Sequence, residues 1–215
     1  MTLSPESDAG CPECGAPPSL SDITGTCEQC GARLPQPTDH RELDLGFAAA
    51  VTDRGLRHRR NEDDFTLATS GERALVVVCD GVSSSANPDL ASTAAAAAAL
   101  AIVEPLLELA DRPSGEVVAD ALRHAVDAAQ EAVQSVPQSE SGGPDASPST
   151  TIVVAWADPG RLILANVGDS RAYWLAGDAS RSLTRDDSLA ESAIAAGVPP
   201  AEAYAAPGAH VITAW

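Results

Sequence analysis

The hydrophobic pattern is densest at residues 74–79, where Leu75, Val76, Val77, Val78 and Cys79 form an unbroken apolar run rich in β-branched side chains. Such a run predicts a strand buried on both faces. It stops at Asp80-Gly81 and passes into a Ser-rich turn. Upstream, residues 45–51 predict a first strand and residues 65–69 a short second one, with Ser70-Gly71-Glu72 as the turn into the run. Downstream, Asn87-Pro88-Asp89 predicts a helix start, with Asn as cap, Pro at the first position and Asp favouring the dipole. That helix is expected from Leu90 to about Ala110, apolar nearly all round and therefore buried, kinked or split at Pro105. Ser114 is expected to cap a second helix over 116–135, whose stripe includes Val118, Leu122, Ala125, Ala129 and Val133.

Residues 136–149, with three prolines and two glycines, predict a surface loop. Residues 150–156 and 161–167 flank Asp158-Pro159-Gly160 and predict a hairpin. A break at Gly168-Asp169-Ser170 precedes a strand over 171–175, then a helix over 187–196 ended by Gly197, then a last strand over 208–215. Strands and helices do not alternate regularly, so the expected class is a layered α+β sandwich rather than a doubly wound sheet.

The 215 residues are 44% apolar, enough for one full domain core and a small appendage. All 13 basic residues are Arg, which reads as genome composition. A net charge of −18 argues against general nucleic-acid or anionic-membrane binding and suits a soluble protein. The first ten residues are polar and acidic, unlike a signal peptide, and the longest apolar run, 94–103, is short for a bilayer. A cytoplasmic protein without a membrane partner is expected.

Four of the five cysteines form two C-x-x-C-Gly knuckles, Cys11/Cys14 and Cys27/Cys30, separated by twelve residues. Paired thiolates on two tight turns can make a closed four-sulfur Zn²⁺ site, which would be structural because it leaves no open position; a pair of redox dithiols is the alternative. About twenty residues cannot build a core, so the metal is expected to supply the folding energy. The organisation read from the chain is a disordered tail (1–10), a zinc ribbon (11–34), a Pro-stiffened linker (35–42) and a main domain (43–215). The ribbon region, 1–40, holds one Arg, Arg33, which counts against nucleic-acid binding. Cys79 reads as a small core residue.

An Asp at the end of a buried strand needs compensation. A divalent cation is one partner, and an ordinary Asp-Gly turn is the simpler alternative. Asp63 precedes the strand before the run. If the two strands pair antiparallel, Asp63 and Asp80 converge, and convergent carboxylates need a cation to sit stably. Arg54, Arg57, Arg59 and Arg60 beside Glu62, Asp63 and Asp64 form either a surface salt-bridge patch or a phosphate-handling edge next to a metal-binding one. Asn166-Val167-Gly168-Asp169 places a further acid at a strand end.

The order TDRGLRHRRNEDDF, LVVVCDG, Thr150-Thr151, LANVGDSRAY and LTRDDSL resembles the metal-dependent protein phosphatases of the PPM or type 2C family, from about Leu45 to Trp215. DGVSSS in place of the commoner DG-Met-Gly-Gly is similar to an actinobacterial branch. The resemblance implies a four-layer α-β-β-α sandwich with two Mg²⁺ or Mn²⁺ at one end. Asp63 and Asp80 would be catalytic metal ligands, Gly81 a ligand through its carbonyl, Glu62 a ligand through water, and Asp169 the acid of a weaker third metal. The implied substrate is phosphoserine or phosphothreonine in a protein, placed there by a Ser/Thr kinase. It would be attacked in line by a water whose pKa the cations lower.

Three departures from the family pattern stand out. The phosphate-binding Arg is replaced by His58, with Arg57 and Arg59 beside it. Asp186-Asp187-Ser188 replaces Asp-His-Ser. Two acidic motifs expected downstream do not occur before Trp215, so the expectation is a family domain incomplete at its C-terminus, with weakened metal binding and little or no turnover. The alternative is a non-catalytic phosphatase-like module that binds phosphoproteins, with the ribbon as docking element.

Overall fold

A computed structural model describes residues 10–17, 25–56, 58–138 and 147–215. Residues 1–9 of the expected tail and most of the Pro- and Gly-rich loop over 136–149 lie outside these residues, as does Arg57.

The central element is a four-stranded antiparallel sheet in the order β3 (Asp63–Ser70), β4 (Arg73–Asp80), β5 (Ile152–Asp158), β6 (Arg161–Val167). β4 and β5 occupy the middle, as their apolar runs require. One sheet face carries Leu75, Val77, Ile152, Val154 and Trp156, all buried against two helices. Helix α1 (Pro88–Val103) is Ala-rich, and its buried small residues Ala91, Ser92, Ala95, Ala96 and Ala99 let it lie close to β3, β4 and α2 (Gly115–Gln134). The α2 stripe is buried at Val118, Leu122, Ala125, Ala129 and Val133, and Ser114 accepts from the Val117 amide at 3.2 Å as an N-cap.

Over the opposite sheet face lies a hairpin, β1 (His40–Asp44) and β2 (Ala49–Asp53). Arg41 ties it down: the guanidinium sits 4.1 Å above the Phe65 ring and donates to Asp64 and to the Phe65 carbonyl. Beyond the sheet, a two-stranded ribbon, β7 (Tyr173–Trp174) with β8 (Arg181–Ser182), is followed by α3 (Leu189–Ala195) and α4 (Pro200–Ala205). Those two helices share a small core of Ala190, Ala203 and Ala209. The class is α+β as expected. The described residues supply a helical layer, a four-stranded sheet and the hairpin over its other face.

Several expectations need correction. The apolar stretch 45–51 is not one strand: 45–48 form the turn of a hairpin, where Leu45 donates to Ala48 and Gly46 has φ 93°, and the strand begins only at Ala49. The second strand begins at Asp63. β1 starts inside the stretch read as a linker. At Pro105 the expected helix is split rather than kinked: α1 ends at Val103 and the chain continues as a 3-10 turn, Glu104–Glu108. Asn87 does not cap α1 with its side chain; it sits in the left-handed region (φ 47°) and its Nδ2 donates to the Pro137 carbonyl at 2.8 Å. Residues 208–215 form no strand, only a bridge between Ser188 and Ile212. Pro88–Glu108 is long and apolar enough to cross a membrane by length and composition, more than the ten-residue run suggests, but one face of α1 lies in the core.

The end of the sheet at the β5–β6 turn is held by one carboxylate. Asp158, its side chain fully buried, accepts from Arg112 at 2.6 Å, from Arg161 at 3.1 Å and from the Trp156 indole N–H at 3.0 Å. Arg112, then Arg161, hold its carboxyl well below the usual range, against the cost of burial. Asp158→Ala should lower unfolding free energy by about 2–3 kcal/mol, because two guanidiniums and an indole lose their acceptor. A depressed carboxyl pKa contributes stability above its unfolded value near 4 and loses it as pH falls below that. Denaturant unfolding from pH 7 to pH 3 should therefore show a steeper acid loss in the parent than in Asp158→Asn. At the other end, a Cβ on Gly81 would lie 2.3 Å from the Pro88 carbonyl oxygen and 2.7 Å from that of Glu62. Gly81→Ala should cost about 1–3 kcal/mol in the same assay, by pushing α1 from the sheet.

Candidate metal centres

The register of β3 and β4 places Asp63 directly opposite Asp80. Directly paired residues project to the same side of a sheet, so the two carboxylates share one cleft, bounded by Thr52 and Asp53 of β2 and by Ser170. Asp80 is fixed through its backbone: its carbonyl accepts from the Thr151 amide at 2.8 Å and the Thr150 hydroxyl at 2.9 Å, and its amide donates to Thr151 Oγ1 at 3.2 Å. Asp63 is fixed through Asn61, whose Oδ1 accepts from the Asp63 amide at 3.3 Å. The Gly81 amide donates to the Glu62 carbonyl at 3.0 Å, closing the strand ends around the acids. Glu62 accepts from the Ser83 hydroxyl and lies 3.7 Å from Arg60 Nε.

Asp169 enters from the β6 end. The turn that carries it is tight, since Gly168 has φ 98° and an added Cβ would strike Thr151 at 2.6 Å. Asp187 holds this turn by accepting from the Gly168 amide at 2.9 Å and donating its own amide to the Gly168 carbonyl at 2.9 Å. Arg171 makes a two-pronged pair with Asp186, its Nε at 2.7 Å. Thr151 and Ser170 share a hydroxyl hydrogen bond at 2.7 Å, linking the Asp80 strand to the Asp169 turn.

The electrostatics register the crowding. Burial, then the charge of Asp63 and a hydrogen bond with it, then the charges of Asp169 and Glu62, push the Asp80 carboxyl up to about 7. Four acids without a cation repel one another, and an all-oxygen donor set suits a hard divalent ion such as Mg²⁺ or Mn²⁺. His58 lies at the rim, more than half exposed, with Nδ1 3.8 Å from Glu62 Oε2 and its carbonyl accepting from Arg54 at 2.6 Å. The chain thus brings together Glu62, Asp63, Asp80, Gly81 and Asp169, with His58 beside them. Sequence reasoning gave no role to Asn61, Thr151 or Ser83. The pairing of two Thr opposite a strand-end Asp was the one available signal.

A second centre is formed by Cys11, Cys14, Cys27 and Cys30, whose sulfurs all lie within 4.8 Å of one another. Cys11 and Cys30 sulfurs are 3.6 Å apart and Cys14 and Cys27 sulfurs 3.7 Å. Tetrahedral zinc with Zn–S bonds of about 2.3 Å requires S···S separations of about 3.8 Å, so the cage fits zinc. A hydrogen bond from the Cys14 backbone heads the influences that draw the Cys11 thiol down to about 7. Around Cys30, the Ala32 backbone favours the thiolate, yet Cys14, burial, Cys11 and Cys27 together push its thiol up to about 12. A cation resolves that competition, since metal ligation requires thiolates. Two small loops, 10–17 and 25–34, carry the cage, with Cys11, Ala16 and Cys27 as a minimal core.

A family model, Protein phosphatase 2C, matches residues 54–195. The serine/threonine protein phosphatase PstP of Mycobacterium tuberculosis is 32% identical over 166 residues, 76% of this chain and 30% of that protein. The serine/threonine phosphatase stp of Listeria innocua is 28% identical over 147 residues, 68% of this chain and 56% of that protein. The chain thus spans about half, or less, of the length of these relatives. Among solved structures, the Staphylococcus aureus serine/threonine phosphatase Stp1 superposes with a TM-score of 0.62 at 22% identity, covering 84% of this chain and 66% of that one. The Mycobacterium tuberculosis phosphatase PstP/Ppp gives a TM-score of 0.56 at 25% identity over 81% and 66%. The family match lies on the segment that carries all four acids and the sheet that presents them, and the chain belongs to the protein phosphatase 2C family.

Proposed function

We propose that the domain is a metal-dependent protein phosphatase that hydrolyses phosphoserine and phosphothreonine in proteins phosphorylated by a Ser/Thr kinase. The observation that carries the reading is the Asp63–Asp80 pair at the sheet end, with the Asp80 carboxyl raised to about 7 by burial and its acidic neighbours. The names of the relatives, serine/threonine phosphatases, support the substrate class. Asp63 and Asp80 are the residues that would hold Mg²⁺ or Mn²⁺, with Glu62, the Gly81 carbonyl and Asp169 around them. Divalent ions bound there supply Lewis acidity, which makes water nucleophilic at neutral pH and offsets phosphoryl charge.

The chain's own residues do the positioning. Thr150 and Thr151 lock the backbone of Asp80 and so fix the point from which its carboxylate enters the cleft. Ser83 and Arg60 orient Glu62. His58, at the rim, occupies the phosphate-binding position and offers a ring donor to the incoming monoester. No covalent phosphoenzyme is required, and Cys79, wholly buried with its thiol pushed up by burial, is unsuited to nucleophilic attack. We place the enzyme in the cytoplasm, where thiols stay reduced and available to zinc.

Assayed with Mn²⁺ and p-nitrophenyl phosphate, the chain should show turnover that Asp80→Asn lowers by at least about tenfold, an increase of about 1.4 kcal/mol in the barrier. Equal rates for the two proteins would overturn the catalytic reading.

A further inference from the structure

The segment between the four-cysteine module and the sheet has the composition of a spacer, but its polar groups are engaged in both directions. Toward the cysteines, both carboxylate oxygens of Asp39 accept from Arg33, each at 2.6 Å. Arg33 bridges antiparallel to Thr26, the residue before Cys27, so its backbone belongs to the second knuckle. Toward the sheet, the Asp39 carbonyl accepts from the Arg54 amide at 2.7 Å, and the Thr38 carbonyl accepts from Asn61 Nδ2 at 3.1 Å. Asn61 is buried, also donates to Thr52 Oγ1 at 2.9 Å, and receives the Asp63 amide. Hydrogen bonds, joined by the Thr38–Asp39 peptide, therefore connect the cysteine knuckle through Arg33 and Asn61 to the backbone of the first acid of the paired site.

The two ends of this run differ in what holds them. Asn61 and Thr52 are anchored by the sheet. Arg33 is anchored by a module whose core is three small residues, so metal ligation supplies its folding energy. A two-pronged Arg–carboxylate pair has strict geometry, and it forms only while the knuckle fixes the Arg33 backbone.

We propose that the four-cysteine module is a positioning element for the acidic site: with zinc bound it seats Arg33 on Asp39 and Thr38 on Asn61, and so holds Asp63 opposite Asp80. Without zinc this seat loosens and the acids take up a divalent ion more weakly. The proposal rests on reading Glu62, Asp63, Asp80 and Asp169 as a metal site. Arg33, Asp39 and Asn61 act through backbone placement and touch neither ion nor substrate.

The test uses the full chain in three forms: zinc-loaded, zinc-stripped under reducing conditions, and Arg33→Ala with zinc content verified at one per chain. Amide hydrogen exchange at Arg54 and Asp63 and the Mn²⁺ dissociation constant are measured for each, with circular dichroism to confirm the helices. Stripping and Arg33→Ala should both speed exchange at the two amides and weaken Mn²⁺ binding by about fivefold or more, while exchange in β5 stays unchanged. Arg33→Lys, which keeps the charge but not the fork, should recover only part of the effect. Unchanged exchange at Arg54 and Asp63 in both perturbed forms overturns the proposal, as does exchange that rises without any loss of Mn²⁺ affinity. Asp80→Asn separates the two readings: if it leaves Mn²⁺ binding intact, the metal-site assignment falls, and the exchange data alone decide whether the module seats Asp63.

Discussion

Two like charges held face to face at the end of an antiparallel ladder set the terms for the rest of this molecule. The β3–β4 register places Asp63 against Asp80, an arrangement a flexible segment would relax by turning one side chain away. Here the backbone cannot move apart. β4 is a central strand, and its last carbonyl is bonded to both Thr150 and Thr151 just before β5. The free energy that sustains the repulsion comes from the apolar face of the same sheet, where Leu75, Val77, Val154 and Trp156 are sealed by two helices. A strained acidic end on a well-packed sheet is the usual way a site is kept poised for a cation.

The close approach of α1 is part of that packing. Its buried residues are mainly Ala, and the loop feeding it brings Pro88 so near to Gly81 that no side chain fits between them. The glycine after Asp80 is thus needed for the helix to approach the sheet, a constraint beyond that of an ordinary turn.

Much of this was legible in the sequence because it depends on periodicity and register. Two apolar strands joined by a tight turn must pair antiparallel, so the convergence of Asp63 on Asp80 was legible to within one residue; the two-residue turn Gly71-Glu72, shorter by Ser70 than the sequence suggests, sets the exact register. The Ser114 cap, the α2 stripe and the Asp158-Pro159-Gly160 hairpin were equally plain. What was hidden depends on tertiary contacts. The hairpin turn at Gly46 falls inside a continuous apolar stretch, so hydrophobicity alone reads through it. Asn87 looks like a cap, but the Pro137 carbonyl offers its side chain a partner fifty residues away. Thr38 and Asp39 read as spacer because their contacts, with Asn61, Arg54 and Arg33, are made by groups that carry no hydropathy signal. The C-terminal stretch has strand-like composition yet finds no neighbouring strand among the described residues.

The buried carboxylate of Asp158 has a further consequence. β4 runs from beside it to Asp80, and eight residues of strand put roughly 20 Å between the two ends. That is more than twice the distance over which charges communicate at physiological ionic strength. The clamp on the sheet and the acids of the cleft therefore sit on one rigid element without sharing an electrostatic environment. Rigidity and reactivity are spatially partitioned, and evolution or engineering can adjust the robustness of the scaffold at the Asp158 end while the cleft retains its charge balance.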